Sequence, residues 1–396
     1  MPETLRTNSK NILKTGVIFF MCSVFLTGCG KANEPDYSVP EKLGDYLFYI
    51  EYNSFVPEIA GDMAPTELKG GCSTVRNGNF FGRNLDMNYC ACPEFVVRMN
   101  RSEERFASIG LSANPYIGTN VSEMTDEELL RIPTITNDGI NENSVLASVH
   151  VVLADGIDDM SGTNEGGKVI DGRYVVRYVL DHAQSAAHAV SLLEQANIVG
   201  GFGHYGLHWM IADAKDSYVV EVIGGKLAVS KNEFSYMTNF YLNYGPAQEK
   251  QTVGGTEFEN LPLLNERAIG VERWDYIRSH YEESSTFEGM AKLMESVKAT
   301  TVYSQSEDEL WLTEHSGDGL TIHSSREDFL RTAAAQEELY RHRDRVDPRG
   351  DWVSWHTSVY DIVRKKLTVW SQEDYSSPYA FDLLRRQNAY PLEEKT

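Results

Sequence analysis

Cysteine is scarce in this chain, with five residues among 396. Cys90 and Cys92 stand two apart in C-A-C and no second pair with zinc-ligand spacing follows, which excludes a structural metal site of the ribbon or finger kind. Basic charge is also short. Lys and Arg number 36 against 58 Asp and Glu, a formal net charge of −22. Such a surface repels phosphate backbones at long range, so nucleic acid is excluded as a partner. Long apolar runs are missing too: the longest, TGVIFFMCSVFLTG over 15–28, falls short of the ~20 residues a spanning helix needs. Neither a repeat nor a low-complexity tract is present. With 41% hydrophobic and 24% charged residues, the composition is that of a globular protein with ample length for a large core, in one big domain or two ordinary ones.

What is present begins with a processing signal. Arg6, Lys10 and Lys14 precede the apolar run, which ends in small residues. The tetrad Leu26-Thr27-Gly28-Cys29 resembles a bacterial lipobox, which implies diacylation of Cys29 after removal of residues 1–28. An ordinary secretory signal with a chance cysteine is the other reading. The expectation is an exported bacterial lipoprotein, held at the cell membrane or cell surface through lipid on Cys29, with a net charge near −24 after cleavage. Cys22 leaves with the signal and Cys29 is acylated, so Cys72, Cys90 and Cys92 form an odd set. An odd cysteine in an exported protein points to a reactive thiol. Cys90 and Cys92 read as two buried small residues or an exposed disulfide.

Residues 30–37 are polar and read as a tether. YLFYIEYNSF (46–55) is dense in aromatics, and NFFGRNLDM (79–87) and SVLASVHVVLA (144–154) have strand character. Residues 158–172 read as a loop, and 173–198 as one or two helices by apolar spacing. Strands return at LHWMIADA and at SYVVEVIGGKLAVS, where Gly224-Gly225 reads as a hairpin turn. Residues 263–300 are again helical in pattern, and 352–374 read as two strands around a charged turn. Strand blocks flanking a helical middle indicate α+β, with helices layered on a mainly antiparallel sheet.

Cys72 follows Gly70-Gly71 and opens a strand-like run. A thiol attacks an amide only as thiolate, so it needs a base or a lowered pKa. One solution uses the α-amino group of the nucleophile's own residue, whose reference value of about 7.7–8.0 suits a base near neutrality. That design requires scission of the bond between Gly71 and Cys72, and a glycine junction tolerates strained angles and leaves the scissile carbonyl unshielded. Arg83 would favour the thiolate and Asp86 would hold the amine. Residues three apart on a strand face opposite sides, so aiming both at one thiol requires a turn or strand end near Leu85. Such a thiol has a low pKa and alkylates faster than Cys90 or Cys92. The local arginines 76, 83, 98, 101 and 105 would attract an anionic substrate, or simply form a solvated face. A structural buried cysteine is the competing reading of Cys72, and a papain-like Cys–His pair lacks its usual sequence context.

Cys72-Ser73-Thr74 with Phe81-Gly82-Arg83-Asn84-Leu85-Asp86 resembles the opening of the choloylglycine hydrolase family, linear-amide hydrolases with an N-terminal cysteine nucleophile. Later segments follow in the family's order: Asp138-Gly139-Ile140-Asn141-Glu142 resembles its D-G-[MI]-N-E turn, and 207–213 with 219–221 its L-H-W-M-I-x-D…V-V-E hairpin. Met237-Thr238-Asn239, Glu272-Arg273-Trp274 and 357–361 match further segments, so the resemblance runs from Cys72 to about Asp374. It implies the four-layer αββα sandwich of N-terminal-nucleophile hydrolases, with a signal over 1–28, a lipid-anchored tether and pro-segment over 29–71, and the amidase domain over 72–396. Carried over, Cys72 is nucleophile and base, Arg83 and Asp86 its electrostatic partners, Asn239 an oxyanion donor, and Arg273 completes the polar network. Where many members place an asparagine as second oxyanion donor, the counterpart here is His150; a core histidine satisfied by backbone is the other reading. The reaction implied is hydrolysis of a small-molecule amide of the bile-salt, penicillin V or N-acyl amide type through a thioester, with no metal or organic cofactor and a homo-oligomeric assembly. An acyltransferase on the same fold, or an uncleaved binding lipoprotein, are the alternatives.

Overall fold

Alternating apolar residues on two large sheets set the architecture. The computed structural model describes residues 36–55, 57, 70–88, 93–113, 120–153, 160–201, 205–243, 248–253, 256–261, 271–298, 352–385 and 390–391. All belong to the unit that starts at Asp36. Cys29, Cys90 and Cys92 lie outside the described residues.

The strands in chain order are β1 (Glu41–Lys42), β2 (Leu47–Tyr52), β3 (Gly70–Asn77), β4 (Phe80–Asn88), β5 (Glu94–Met99), β6 (Ser108–Ala113), β7 (Asp138–Asn141), β8 (Leu146–Leu153), β9 (Lys168–Asp171) and β10 (Ala196–Val199). They continue with β11 (Tyr205–Ala212), β12 (Ser217–Ile223), β13 (Lys226–Lys231), β14 (Tyr236–Met237), β15 (Gln248–Val253), β16 (Thr256–Leu261), β17 (Trp352–Asp361), β18 (Lys366–Ser371), β19 (Tyr379–Asp382) and β20 (Tyr390–Pro391). The helices are α1 (Asp126–Arg131), α2 (Val175–His182), α3 (Ala186–Gln195), α4 (Val271–His280) and α5 (Phe287–Ser296).

One sheet has nine strands in the order β1-β2-β5-β6-β7-β8-β11-β12-β13, and the other seven in the order β14-β3-β4-β17-β18-β19-β20. Between them lies a core built by inward residues of both: Leu111, Ile140, Met210 and Val219 from the first, Phe81, Tyr360, Leu367 and Val369 from the second. The opposite residues of the nine-stranded sheet, such as Val149, Trp209 and Val220, pack under α2 and α3. Those of the seven-stranded sheet, Val75, Val359 and Trp370, pack under α4 and α5 through Ile277, Met290 and Met294. The layers are helix, sheet, sheet, helix, the αββα sandwich.

Local chemistry fixes the helix starts. Ser185 caps α3 by accepting from the His188 amide, Thr286 does the same for α5 with Gly289, and α1 opens on a Thr125/Glu128 capping box. Gly224 and Gly225 both take positive φ, as a two-residue hairpin turn between β12 and β13 requires. Two readings change. Within the loop expected at 158–172, residues Lys168–Asp171 form β9 because Ala196–Val199 offers a parallel partner and Ile170 becomes buried; α3 accordingly ends at Gln195. Asp138–Asn141 is strand β7 rather than a turn, since Gly110 and Gly139 lie side by side and let β6 and β7 approach closely; the chain reverses just after it, where Ser144 has φ 65°.

Candidate active site

In the full-length chain the bond between Gly71 and Cys72 lies inside β3, with Gly71 opposite Asp86 and Cys72 opposite Leu85 on β4. Alternation sends the Cys72 and Thr74 side chains into the space between the sheets, and Ser73 and Val75 toward the helices. The thiol is buried, 3% exposed, and accepts from Arg83 Nη2 at 3.3 Å. Arg83 is held by carbonyls: Nη1 donates to Asn84 O at 2.5 Å and Nη2 to Val149 O at 2.6 Å. Its Nε lies 3.5 Å from Asp138 Oδ1.

Asp86 is on the other face of β4. Strand β4 runs unbroken through Leu85, so the turn expected there is absent and Arg83 and Asp86 point to opposite sides, as strand periodicity dictates. The irregularity sits instead on the partner, where β17 shifts register between Ser354 and His356 opposite Asp86 and Leu85. Asp86 Oδ1 accepts from Ser354 Oγ at 2.6 Å and Oδ2 from Arg273 Nη1 at 2.5 Å. Arg273 also donates to Ser73 Oγ at 3.1 Å and to Asn239 Oδ1 at 2.9 Å.

Helix and strand spacing explain why Arg273 arrives there. Arg273 and Ile277 are four apart on α4, a rise of about 6 Å, and Ser73 and Val75 are two apart on β3, about 6.7 Å. One helix face therefore meets both outward residues of the strand, Arg273 at Ser73 and Ile277 beside Val75. Trp274 anchors the helix among Tyr236 and Phe240, with ring centroids at 4.5 and 5.3 Å.

Asn239 joins the two faces. Strand β14 pairs with β3 only at Val75 and Thr74 and then leaves the ladder. At the level of Cys72 the Asn239 side chain takes over: its Oδ1 accepts the Cys72 N–H at 2.8 Å, while its Nδ2 donates to Val151 O at 2.7 Å. The carbonyl end, not the amide end expected of an oxyanion donor, thus faces Cys72.

His150 has no ring nitrogen to spare for an oxyanion. Nδ1 meets Thr238 O at 3.0 Å and Nε2 meets Thr74 Oγ1 at 2.6 Å. A carbonyl only accepts, so Nδ1 carries the proton and Nε2 accepts from the threonine. Burial, with Arg83 and His208 nearby, holds the ring well below the usual histidine value. His208 meets the same Thr238 carbonyl at 2.9 Å and Glu221 at 3.1 Å. The two histidines brace the turn that delivers Asn239.

Two electrostatic expectations change. Burial pushes the Cys72 thiol up; Arg83 and Arg273 oppose it, Asp86 reinforces it, and the net direction is upward, not the depression expected of an activated cysteine. Nor is the arginine cluster a surface for anions. Arg83, Arg98 and Arg105 are buried, Arg98 donating to the carbonyls of Asp382, Leu383 and Arg385, and Arg105 to those of Asn100, Tyr52 and Asn53.

A buried polar network beside the thiol was given no role by the sequence, although Asp138 and residues 357–361 stood in its motifs. Asp138 on β7 accepts from His356 Nε2 at 2.8 Å, Ser358 Oγ at 2.8 Å and Tyr360 OH at 2.7 Å, all from β17. His356 Nδ1 meets Glu94 of β5. Burial lowers the His356 value, but the Glu94 and Asp138 carboxylates outweigh it and raise it to about 9. Burial raises Asp138, and His356 and Arg83 more than reverse it. The chain Glu94–His356–Asp138–Arg83–Cys72 crosses from sheet to sheet. Beyond those motifs, its sequence signal is the alternation of polar His356, Ser358 and Tyr360 at inward positions of β17.

A nucleophile type, a guanidinium against it, and an Asn–Arg–Asp chain at its backbone nitrogen form one connected cluster. The family model of linear amide C-N hydrolases, choloylglycine hydrolase family, matches residues 72–243. Over that segment the chain is similar to the choloylglycine hydrolase family. Members of that family are by class hydrolases of linear amides. No curated protein is significantly similar in sequence. Among solved structures, a mutant of the conjugated bile acid hydrolase from Clostridium perfringens aligns at 15% identity with a TM-score of 0.51, covering 81% of this chain and 96% of that one. The fold of this chain is therefore shared with that protein. The penicillin V acylase from Agrobacterium tumefaciens aligns at 15% identity and TM-score 0.36, over 78% of this chain and 91% of that one.

Proposed function

We propose that the chain hydrolyses linear amides with Cys72 as nucleophile, after water has cleaved the Gly71–Cys72 bond and left Cys72 with a free amine. The observation that carries this reading is that the Cys72 side chain and backbone nitrogen are met separately: Arg83 lies 3.3 Å from Sγ, and Asn239 Oδ1 accepts from the nitrogen at 2.8 Å. Once freed, that nitrogen is a base within its own residue, and Asn239, oriented by Arg273 and Asp86, holds it.

In this reading the amine takes the thiol proton as sulfur bonds to the substrate carbonyl carbon. The tetrahedral oxyanion collapses, the C–N bond breaks, and the ammonium returns the proton to the leaving amine. Water then adds to the thioester, giving its proton to the amine; the carboxylic acid leaves and the thiol is restored. Arg83 stabilises the thiolate. An oxyanion donor on Asn239 would be its remaining Nδ2 hydrogen, the other being given to Val151 O; one such donor is worth about 3–4 kcal/mol of barrier. His150 braces the Asn239 turn. The substrate classes to assay are conjugated bile salts, phenoxyacetyl penicillin, N-acyl amino acids and N-acyl homoserine lactones.

The raised thiol of the full-length chain favours an inactive precursor. We further propose export through residues 1–28 and a lipid on Cys29. Intact mass and N-terminal sequencing of protein from a bacterial membrane fraction test both. A chain beginning Cys-Ser-Thr-Val that turns over one of these amides is expected, and Cys72→Ala should remain a single chain. A single wild-type chain starting at acylated Cys29 would replace this reading with that of an uncleaved binding lipoprotein.

A further inference from the structure

The residues before Cys72 are built into the fold. Strand β2 pairs in parallel with β5 over its full length, Leu47 opposite Glu94 through Tyr52 opposite Met99. Both of its faces are covered. Leu47 and Tyr49 enter the core between the two sheets, and Ile50 and Tyr52 enter a second cluster with Phe95, Val97, Met99, Leu129 and Ile132. Leu47, Ile50 and Tyr52 are fully buried.

Polar contacts fasten the same segment at both ends. Tyr52 OH donates to Leu129 O at 2.5 Å, and Arg105 donates to the carbonyls of Tyr52 and Asn53 at 3.3 and 2.7 Å. At the other end Tyr379 OH of the seven-stranded sheet donates to Leu43 O at 2.7 Å, and Tyr49 stacks on Phe381 at 5.8 Å. Only β1, with exposed Glu41 and Lys42, has the charged, open character of a sheet edge.

We infer that after scission before Cys72 the preceding segment stays bound as a second, noncovalent chain, seated through β2, and that it positions the catalytic network. This rests on the scission proposed above. The positioning route is Glu94: its amide donates to Tyr46 O at 2.8 Å, and its carboxylate holds His356, which holds Asp138 beside Arg83. Without β2, the β5 edge opens at Glu94 and the support of the arginine under the thiol loosens. Anything attached before residue 36 then stays with the enzyme.

The test uses cleaved protein purified in mild detergent, run on gel filtration and on a denaturing gel. Two fragments in one native peak at equal stoichiometry are expected. Stripping the small fragment with urea and returning the large one to buffer should lower turnover on the order of a hundredfold, as misplacement near a catalytic group does. Adding the small fragment back should restore activity. Fragments eluting separately, or a large fragment fully active alone, would overturn the inference while leaving scission intact. An uncut chain would overturn the scission reading, and the inference with it.

Discussion

Cys72 sits where burial raises its thiol, so the chemistry depends on what surrounds it. Arg83 supplies the nearest positive charge. Arg83→Lys keeps the charge beside Asp138 but loses the planar fork that reaches Asn84, Val149 and the sulfur together. A fall in kcat of about a hundredfold, with the pH profile of kcat displaced upward, is expected and read by steady-state kinetics. Glu373 offers a second residue-scale test. It accepts the Ser354 amide at 2.9 Å, one residue's reach from Asp86, and burial raises its carboxyl from 4.5 to about 8 with Lys298 opposing. The native state keeps this proton until about pH 8, while the unfolded chain releases it near 4.5. The contribution of Glu373 is therefore full below pH 4.5 and declines through pH 8, by about 1.4 kcal/mol per unit at most. Glu373→Gln can still accept from Ser354 and should flatten that decline in urea melts across the range, becoming more stable than wild type near pH 8.5. An unchanged slope would refute the assignment.

At the scale of elements, the pair β3–β4 divides the chemistry between its faces: thiol and Arg83 inward, Ser73 and Asp86 toward α4. The order of Cys72, Arg83, Asp86, Asn239 and Arg273 was legible because each belongs to a short motif, and the strands and helices carrying them were legible by period. What each face meets was not, because a bulge in β17, more than 260 residues away in sequence, turns Ser354 to Asp86 and His356 to the opposite side. The amide orientation of Asn239 and the two bonds of His150 were hidden for a similar reason: both depend on where β14 stops pairing. Lone polar residues in an apolar strand, such as His356, read as strand and nothing more. The close approach of β6 and β7 yields a prediction. A Cβ on Gly110 would collide with the Asp138 carbonyl and come within 3.1 Å of the Gly139 Cα, and backbone cannot yield as a side-chain tip can. Gly110→Ala should cost about 1–3 kcal/mol by overpacking, and lower turnover in the molecules that fold by shifting Asp138 away from Arg83. Chemical denaturation and kinetics on the same sample separate the two effects. A silent substitution would show that β6 and β7 stand farther apart.

For the molecule as a whole, His356 clips the two sheets together between Glu94 and Asp138. Its folded value, about 9, lies above the ordinary 6.5, so its contribution is present in full below pH 6.5 and is lost as pH rises through 9. With Glu373→Gln removing the lower part of the decline, the remaining fall in stability between pH 6.5 and 9 belongs to this clip. His356→Asn leaves two buried carboxylates facing each other and should destabilise by about 3–5 kcal/mol, seen as an early melting transition. A variant that melts with wild type would mean the sheets are held by apolar packing alone.

The parallel ladder of residues 47–52 on 94–99 has one further consequence. The covalent path between its two strands runs through residues 71 and 72. While that path is whole, finding the partner strand is a loop closure within one molecule, with a high effective concentration. Once it is cut, the same pairing becomes an encounter between two molecules. Maturation at Cys72 would then make the native topology depend on concentration: the precursor regains its first strand by itself, whereas a mature enzyme that loses it in dilute surroundings has no unimolecular route back.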